Sequence, residues 1–424
     1  MSLLAERFTI LAPLRHRPYR TLFGGQVVSN IGDWLDILAL IALLLYRWDL
    51  GAGAWGAVLT ALTLPYALLG PVAGVWVDRW NQRTVMVVCD LARAGLALGL
   101  VWAPNLASVL ILVTASSMFS TFHLPAQQAM IRYTVPDDDL MAANALGQLS
   151  DNGARLIGPA LGGLAVVIGG PRFAFILNAL TFVVSAAILS RLPATGRSAP
   201  SGERARRFTD DLRAGIQHIL RSRGLLIGVG GMVVASFLIR STDTLGAIVL
   251  KALGISEGMQ GLSSTALGVG YVGGTLLVGQ WGQRFQPLAI FSGGTMLVGS
   301  MLAVTGTAAI LEFSGISMIV VVAFIGRMLI GAGFATMAES YGFILQRDTP
   351  AEMVGRVTAT SRSVVAGVPL VAPLLATLLA DRWGLGTAYT TFGLAMVVVG
   401  VAVMLVRTQN RSESPGVDSV GRGA

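Results

Sequence analysis

The sequence predicts an all-α integral membrane protein of twelve transmembrane helices arranged as two pseudo-symmetric six-helix bundles. Three observations carry that expectation: an apolar composition, apolar stretches of membrane-spanning length, and a polar, basic stretch at mid-chain between two halves with similar punctuation. Of the 424 residues, 54% are hydrophobic and 12% charged, roughly half the charged share of a soluble domain, and the mean hydropathy is +0.70. So few charges cannot cover an apolar core in water, and lipid must solvate most of the chain.

The apolar stretches are about 20 residues long, which at 1.5 Å rise matches a hydrocarbon core of ~30 Å. Hydropathy and turn residues place them at roughly 20–46, 54–77, 84–103, 106–131, 141–168, 171–192, 224–250, 258–282, 286–311, 314–345, 353–380 and 384–407. Residues 1–192 then form the first bundle and 224–408 the second, with 409–424 a disordered tail. The linker, 193–223, holds SAPSGERARR followed by the amphipathic DDLRAGIQHILRSR, a pattern that suits a short helix lying on the membrane surface.

Orientation follows from the basic residues. Arg47, Arg172, Lys251 and Arg382 are the ones that fall on one side of this layout, while the N-terminal arm, the linker and the tail concentrate arginines on the other. The positive-inside rule then puts both termini in the cytoplasm of a multi-pass cell-membrane protein. The N-terminal stretch has no small-residue cleavage site, so no cleaved signal peptide is expected.

The halves share spacing. Pro136 and Pro159 lie 23 residues apart, as do Pro350 and Pro373, and Gly74 and Arg79 find counterparts in Gly279 and Arg284. Internal repeats of this kind accompany alternating access around a midplane site.

Other classes lack their signals. The net charge of +8 is dispersed between apolar stretches, so no nucleic-acid partner is expected. One cysteine, Cys89, excludes a disulfide framework, and His16, His123 and His218 are too scattered for a metal cluster. There is no Ser–His–Asp set, no HExxH and no phosphate-cradling loop. No catalytic residue, metal or cofactor is expected; the expected partners are protons, a small-molecule substrate and the bilayer, for a monomeric chain.

The segment GVWVDRWNQRT places Gly74, Asp78, Arg79 and Arg83 at the end of the second span. There Gly74 would permit close helix approach, Asp78 would cap or pair at a helix end, and the arginines would favour the interface. This arrangement resembles the glycine, aspartate–arginine and trailing-arginine signature of the major facilitator superfamily. Gly158, Pro159, Gly162 and Gly163, in GPALGG, are similar to the antiporter motif of its drug-exporting members, although Ala145 and Ala154 stand where that motif has glycines. NIGDWLD, PAQQAMIRYTVPDDDLMAAN and LQRDTPAEMVGRV further resemble the proton-coupled drug and macrolide efflux branch that includes siderophore exporters. The resemblance implies a major facilitator fold whose cavity is lined by the first, fourth, seventh and tenth helices, and a conformational latch made by Gly74, Asp78, Arg79 and Arg83. It implies a proton-coupled exporter of small amphipathic compounds, with a dedicated exporter of one siderophore-like or lysolipid-like metabolite as the alternative. A membrane receptor or assembly factor is the reading outside transport.

Charges inside spans default to functional hypotheses. Asp90 and Arg93, Asp151 and Arg155, and Arg240 and Asp243 lie three or four apart and can neutralise each other on one helix face. Asp33 and Asp36 have no such partner. Asp33 lies about 13 residues, or ~20 Å, above the start of its helix, near the midplane, where a carboxylate is tunable enough to carry a coupling proton, and Asp36, one turn further out, is the second candidate to share that proton or the positive charge of a substrate. Arg327 and Arg362 are the bases without an intrahelical acid, and Arg327 is the preferred partner of Asp33. Asn30 extends the polar strip of the first helix; His123 is a possible proton shuttle, and Glu339 sits where a gate would be. Phe119, Phe122, Phe237, Phe334 and Tyr341 are candidate cavity walls, adaptable enough for varied ligands.

Overall fold

A computed structural model describes residues 9–194, 213–311, 321–350, 353–367 and 371–412, all its regular elements being helical. Most of the linker and the tail from 413 lie outside the described residues. Helix α1, Arg17–Ile41, opens with Pro18, where the missing N–H costs nothing, and runs into a π turn, Ala42–Arg47. Its base is pinned by Tyr19, whose hydroxyl donates to the Ala143 carbonyl at 2.7 Å, and by His16 against Asp139 at 2.8 Å. Helix α2 spans Ala52–Val77. The next helix, α3 (Gln82–Val101), begins at Asn81, which accepts from the Thr84 N–H at 3.1 Å, and α4 (Leu106–Thr134) begins at a capping box between Asn105 and Ser108. Such caps satisfy amide groups that the first helical turn leaves open.

The run Leu140–Leu189 is two helices that meet at Gly170, whose φ of 73° is left-handed and suits glycine. Pro171 follows and withholds the amide a continuing helix needs; we number residues 140–169 α5 and 171–189 α6. Beyond the linker come α7 (Arg223–Ala252), α8 (Glu257–Trp281) and α9 (Pro287–Ile310). A π turn, Val321–Gly326, leads into α10 (Arg327–Arg347); α11 is in two pieces, Val354–Gly367 and Ala372–Trp383, and α12 is Leu385–Ser412. Among the described residues, ten stretches are long and apolar enough to cross a membrane. One of them, Asp137–Leu189, contains both α5 and α6, and each piece of α11 is shorter than a span. Leu68, Ile111, Ile168, Leu276 and Val398 are each about two-thirds exposed, as befits side chains that meet lipid.

The chain divides by its contacts into Met1–Gly202 with Leu250–Gly268, and Glu203–Val249 with Val269–Ala424. The expected second bundle was 224–408; the division by contacts groups Glu203–Val249 with it and leaves 250–268 with the first unit. Lys251 donates to the Leu45 carbonyl and to Asp49, Arg47 meets Glu257 at 3.2 Å, and the Tyr46 hydroxyl donates to the Ile255 carbonyl at 2.5 Å. The hydrogen bond from Lys251, and then its charge, hold the Asp49 carboxyl below its usual range, so the contribution of this contact is complete above the ordinary carboxylate pKa and is lost only as pH falls on through the lowered one.

In the first unit the GPALGG glycines are contact surfaces. A Cβ on Gly158 would lie 2.6 Å from that of Trp34, and one on Gly162 3.0 Å from that of Leu38, so α5 lies tightly on α1. On Gly163 it would lie 3.0 Å from the Gly258 carbonyl and 3.1 Å from the Gly261 Cα of α8. Small residues allow such backbone approach where lipid offers no hydrophobic drive between helices. In the second unit Ser292, Gly299 and Gly306 of α9 face Gly400, Gly393 and Gly386 of α12, each set repeating every seven residues. The Ser292 hydroxyl donates to the Gly400 carbonyl at 2.6 Å.

Candidate functional site

The polar strip of α1 meets charges from α3 and α4 inside the first unit. Arg93 of α3 donates to the Asp33 carboxylate, and its other terminal nitrogen lies 3.8 Å from Asp90, one turn earlier on its own helix. Phe182 of α6 packs over the guanidinium, 4.0 Å from ring centroid to Cζ, a cation–π contact that steadies it. Asp90 is fully buried and 3.4 Å from His123 Nε2 of α4. Asp33, by contrast, is 47% exposed, so the cluster has one open end and one closed. Both Asp90 oxygens, Arg93 Nε, His123 Nε2 and Asp36 Oδ1 are buried without a hydrogen bond. Asn178 of α6 lies beside Asp36, and Tyr66 of α2 lies within electrostatic reach of Asp33 and Arg93.

This corrects two expectations. Asp33 pairs with Arg93, where Arg327 had been the preferred partner, and Arg93 reaches across to α1 rather than serving Asp90 alone. Spacing along one helix finds neighbours on that helix; it says nothing of an arginine long enough to reach the next. Arg327 lies in the second unit, where a Cβ on Gly246 would be 4.0 Å from its guanidinium and 3.6 Å from the Tyr389 hydroxyl. The side chain of Arg362 lies outside the described residues.

A third expected pair also turns outward. Asp151 of α5 accepts from Asn30 Nδ2 at 2.6 Å and from Gln26 Nε2 at 3.3 Å, both on α1, in place of Arg155. An amide on the facing helix presents its donor directly, while an arginine four residues on must fold back. Arg240 and Asp243 do meet on α7, at 3.9 Å.

Around the second-helix loop, Gly74 does not make the close approach foreseen for it, since a Cβ there would meet nothing within 4 Å. Its carbonyl accepts from the Asp78 N–H at 3.0 Å, which ends α2. Trp76, Trp80 and Phe122 form an aromatic cluster with centroids 6.0–6.3 Å apart. Beside it is a pocket of about 650 Å³, with Arg79, Asn81 and Thr84 among its polar lining and Cys89, Phe119 and Phe122 among the rest. Arg83 is half-buried.

The remaining candidate wall residues lie in the second unit. Phe237 and Phe334 are half-buried, Tyr341 is buried with its hydroxyl against Ser361, and the exposed Glu339 accepts from Thr275 at 3.5 Å. Sequence reading missed Asp90, Arg93 and His123 as one group. The available signal was three ionisable residues in the interiors of two consecutive apolar helices.

Chemically, the carboxyls of Asp36 and Asp90, one guanidinium and one imidazole share a low-dielectric interior, with the Asp33 carboxyl at its open end. An uncompensated charge there costs several kcal/mol, so the pairings among these groups are what makes their charges tenable.

The sequence matches the family model of the Major Facilitator Superfamily over residues 22–247 and 235–423. It is 26% identical to the MFS-type transporter YfiS of Bacillus subtilis over 95% of this chain and 96% of that one. Macrolide efflux protein A of Streptococcus pyogenes is 23% identical over 92% and 95%, and Enterobactin exporter EntS of Salmonella typhi 28% over 96% of each. Among solved structures, nucleoside transporter NupG superposes with a TM-score of 0.73 at 11% identity, covering 92% of this chain and 99% of that one. At that identity the likeness speaks for the fold alone.

Proposed function

Because the chain belongs to the Major Facilitator Superfamily, a family of transporters and not of enzymes, we propose that it is a proton-coupled antiporter that exports small amphipathic compounds. The observation that carries this reading is the half-open ion pair Asp33–Arg93, backed by buried carboxyl oxygens of Asp36 and Asp90 that no hydrogen bond satisfies. A carboxylate that is exposed at one end of such a cluster takes up a proton only by releasing its arginine, and that exchange links protonation to helix positions. Export is supported by the relatives whose names describe efflux of macrolides and export of enterobactin. The second of those names also supports the narrower reading, an exporter dedicated to one metabolite.

The test is transport by the purified full chain in liposomes. Candidate compounds chosen by thermal shift should accumulate against their gradient when a pH gradient is imposed, and a protonophore should abolish the accumulation. Accumulation indifferent to the protonophore would remove the proton from the reading.

Both termini are placed in the cytoplasm on the strength of the arginine asymmetry. Reporter fusions at Gly170 and Ser201 should then report opposite sides, external at Gly170 and cytoplasmic at Ser201. The same side at both positions contradicts the topology.

Asp78, Arg79 and Arg83 act in this reading as a latch at the cytoplasmic end of α2 and not as substrate ligands. Asp78→Asn should slow turnover about tenfold, a barrier change of ~1.4 kcal/mol, with substrate affinity nearly intact. Measured binding that falls while turnover holds would move Asp78 into the substrate site.

A further inference from the structure

Charge conservation inside the first unit makes a demand that a single proton carrier does not meet. Asp33 and Asp90 flank one guanidinium, and Asp90 is the worse served of the two: it is fully buried, neither oxygen has a hydrogen bond, and Arg93 stands 3.8 Å away. A bare carboxylate in that position is untenable. The other group within reach is His123, at 3.4 Å, itself buried and with Nε2 unbonded. An imidazolium there closes the sum of Asp33, Arg93, Asp90 and His123 at zero. Asp36, whose Oδ1 is buried without a hydrogen bond, then holds a proton of its own.

We propose that Asp90 and His123 form a second proton-binding site, which discharges when Arg93 passes from Asp33 to Asp90; this rests on the proton-coupled reading above. The exchange balances. A proton adds to a carboxylate oxygen of Asp33 and breaks its ion pair with Arg93. The guanidinium closes on Asp90, a movement of about 1 Å to hydrogen-bond distance. Two cations then share one carboxylate, and His123 gives its proton to water. One proton has entered at Asp33 and one has left at His123, with the charge of the four groups unchanged and no single proton having crossed the arginine.

The two ends differ in access. Asp90 precedes Arg93 by one turn, roughly 4.5 Å nearer the start of α3. Cys89 and Phe122, the chain neighbours of Asp90 and His123, line the 650 Å³ pocket whose lining includes Asn81 and Thr84 from the loop before α3 and its first turn. Asp33 is exposed at its end of the cluster, whereas Asp90 and His123 are buried and neither is among the residues lining that pocket. The ionisable groups around the pair are Asp33 and Asp36 from α1, Tyr66 from α2, and Cys89 and Arg93 from α3; α6 contributes the neutral Asn178 and Phe182.

Three histidines make the test tractable. In full-length protein labelled with ¹⁵N-histidine and held in lipid nanodiscs, His123→Gln identifies the His123 signals by their loss. Wild-type His123 should be imidazolium at neutral pH. Asp33→Asn should lower its proton occupancy about tenfold, equivalent to one pH unit, because Arg93 is freed for Asp90. Arg93→Gln should keep His123 protonated to higher pH than the wild type, because Asp90 then has no other cation. Unchanged His16 and His218 signals report an intact fold, and either variant decides the matter if the other fails to fold. A neutral His123 in the wild type, or shifts of the same sign in both variants, overturns the proposal. Loss of uphill transport in Asp33→Asn with His123 unmoved refutes the relay and spares the coupling reading, whereas uphill transport that survives Asp33→Asn refutes the coupling reading itself.

Discussion

Asp33→Asn should reduce accumulation of substrate against its gradient to unity in proteoliposomes while downhill movement continues. Asparagine is close in size to the protonated acid and equally uncharged, so the variant is fixed in the state in which the ion pair of Arg93 with Asp33 is absent. Substrate still binds and crosses, but the proton gradient has nothing left to act on at that position. The pH dependence of transport should flatten for the same reason. Arg93→Lys is the companion variant: a lysine keeps the charge but not the fork that lets one guanidinium face Asp33 and Asp90 together, so coupling should fall even though the charge count is kept. Uphill accumulation by Asp33→Asn at the wild-type rate would assign the proton elsewhere, with Asp36 the first place to look.

A large effect on stability is expected at the α9–α12 seam. A Cβ on Gly393 would sit 2.5 Å from the Ala303 amide nitrogen and 2.7 Å from the Gly299 carbonyl, both backbone atoms that no rotamer change can move. Gly393→Leu must force the helices apart and should cost about 3 kcal/mol or more, read as a large fall in the thermal midpoint of purified protein and in the amount recovered from membranes. Gly273→Ala on α8 is the control, because a Cβ there meets nothing within 4 Å and alanine favours the helix. Similar midpoints for Gly393→Leu and wild type would show that the seam is not close-packed.

The helices were legible in the sequence because their determinants are local. Apolar length gives a span, and Gly170–Pro171 or Asn105 with Ser108 gives an end. The site was legible only in part, for a reason that the arginines make plain. Asp33 stood out because nothing on its own helix answers it, and it does carry the cluster's one open contact. Its partner was misjudged because Asp90 and Arg93 satisfy the intrahelical rule so well that Arg93 looked spent. Asp151 illustrates the converse: Arg155 is correctly spaced, yet Asn30 on α1 is closer and already aimed. Gly74 was credited with a contact it does not make, while Gly299, Gly306, Gly386 and Gly393, which make such contacts, passed unremarked in a chain with 52 glycines. Their seven-residue recurrence was the readable signal, and it separates them from glycines that merely occur.

The meeting of Gly163 with Gly258 and Gly261 has a thermal consequence. Most helix contacts freeze side-chain torsions when they form, at a cost that grows with temperature and ranges up to ~2 kcal/mol for a long side chain. Backbone against backbone has no such torsions to freeze. The α5–α8 contact therefore forms without an entropy toll from rotamers, and its strength should drift little between cold and warm membranes, where a leucine-packed crossing would drift more.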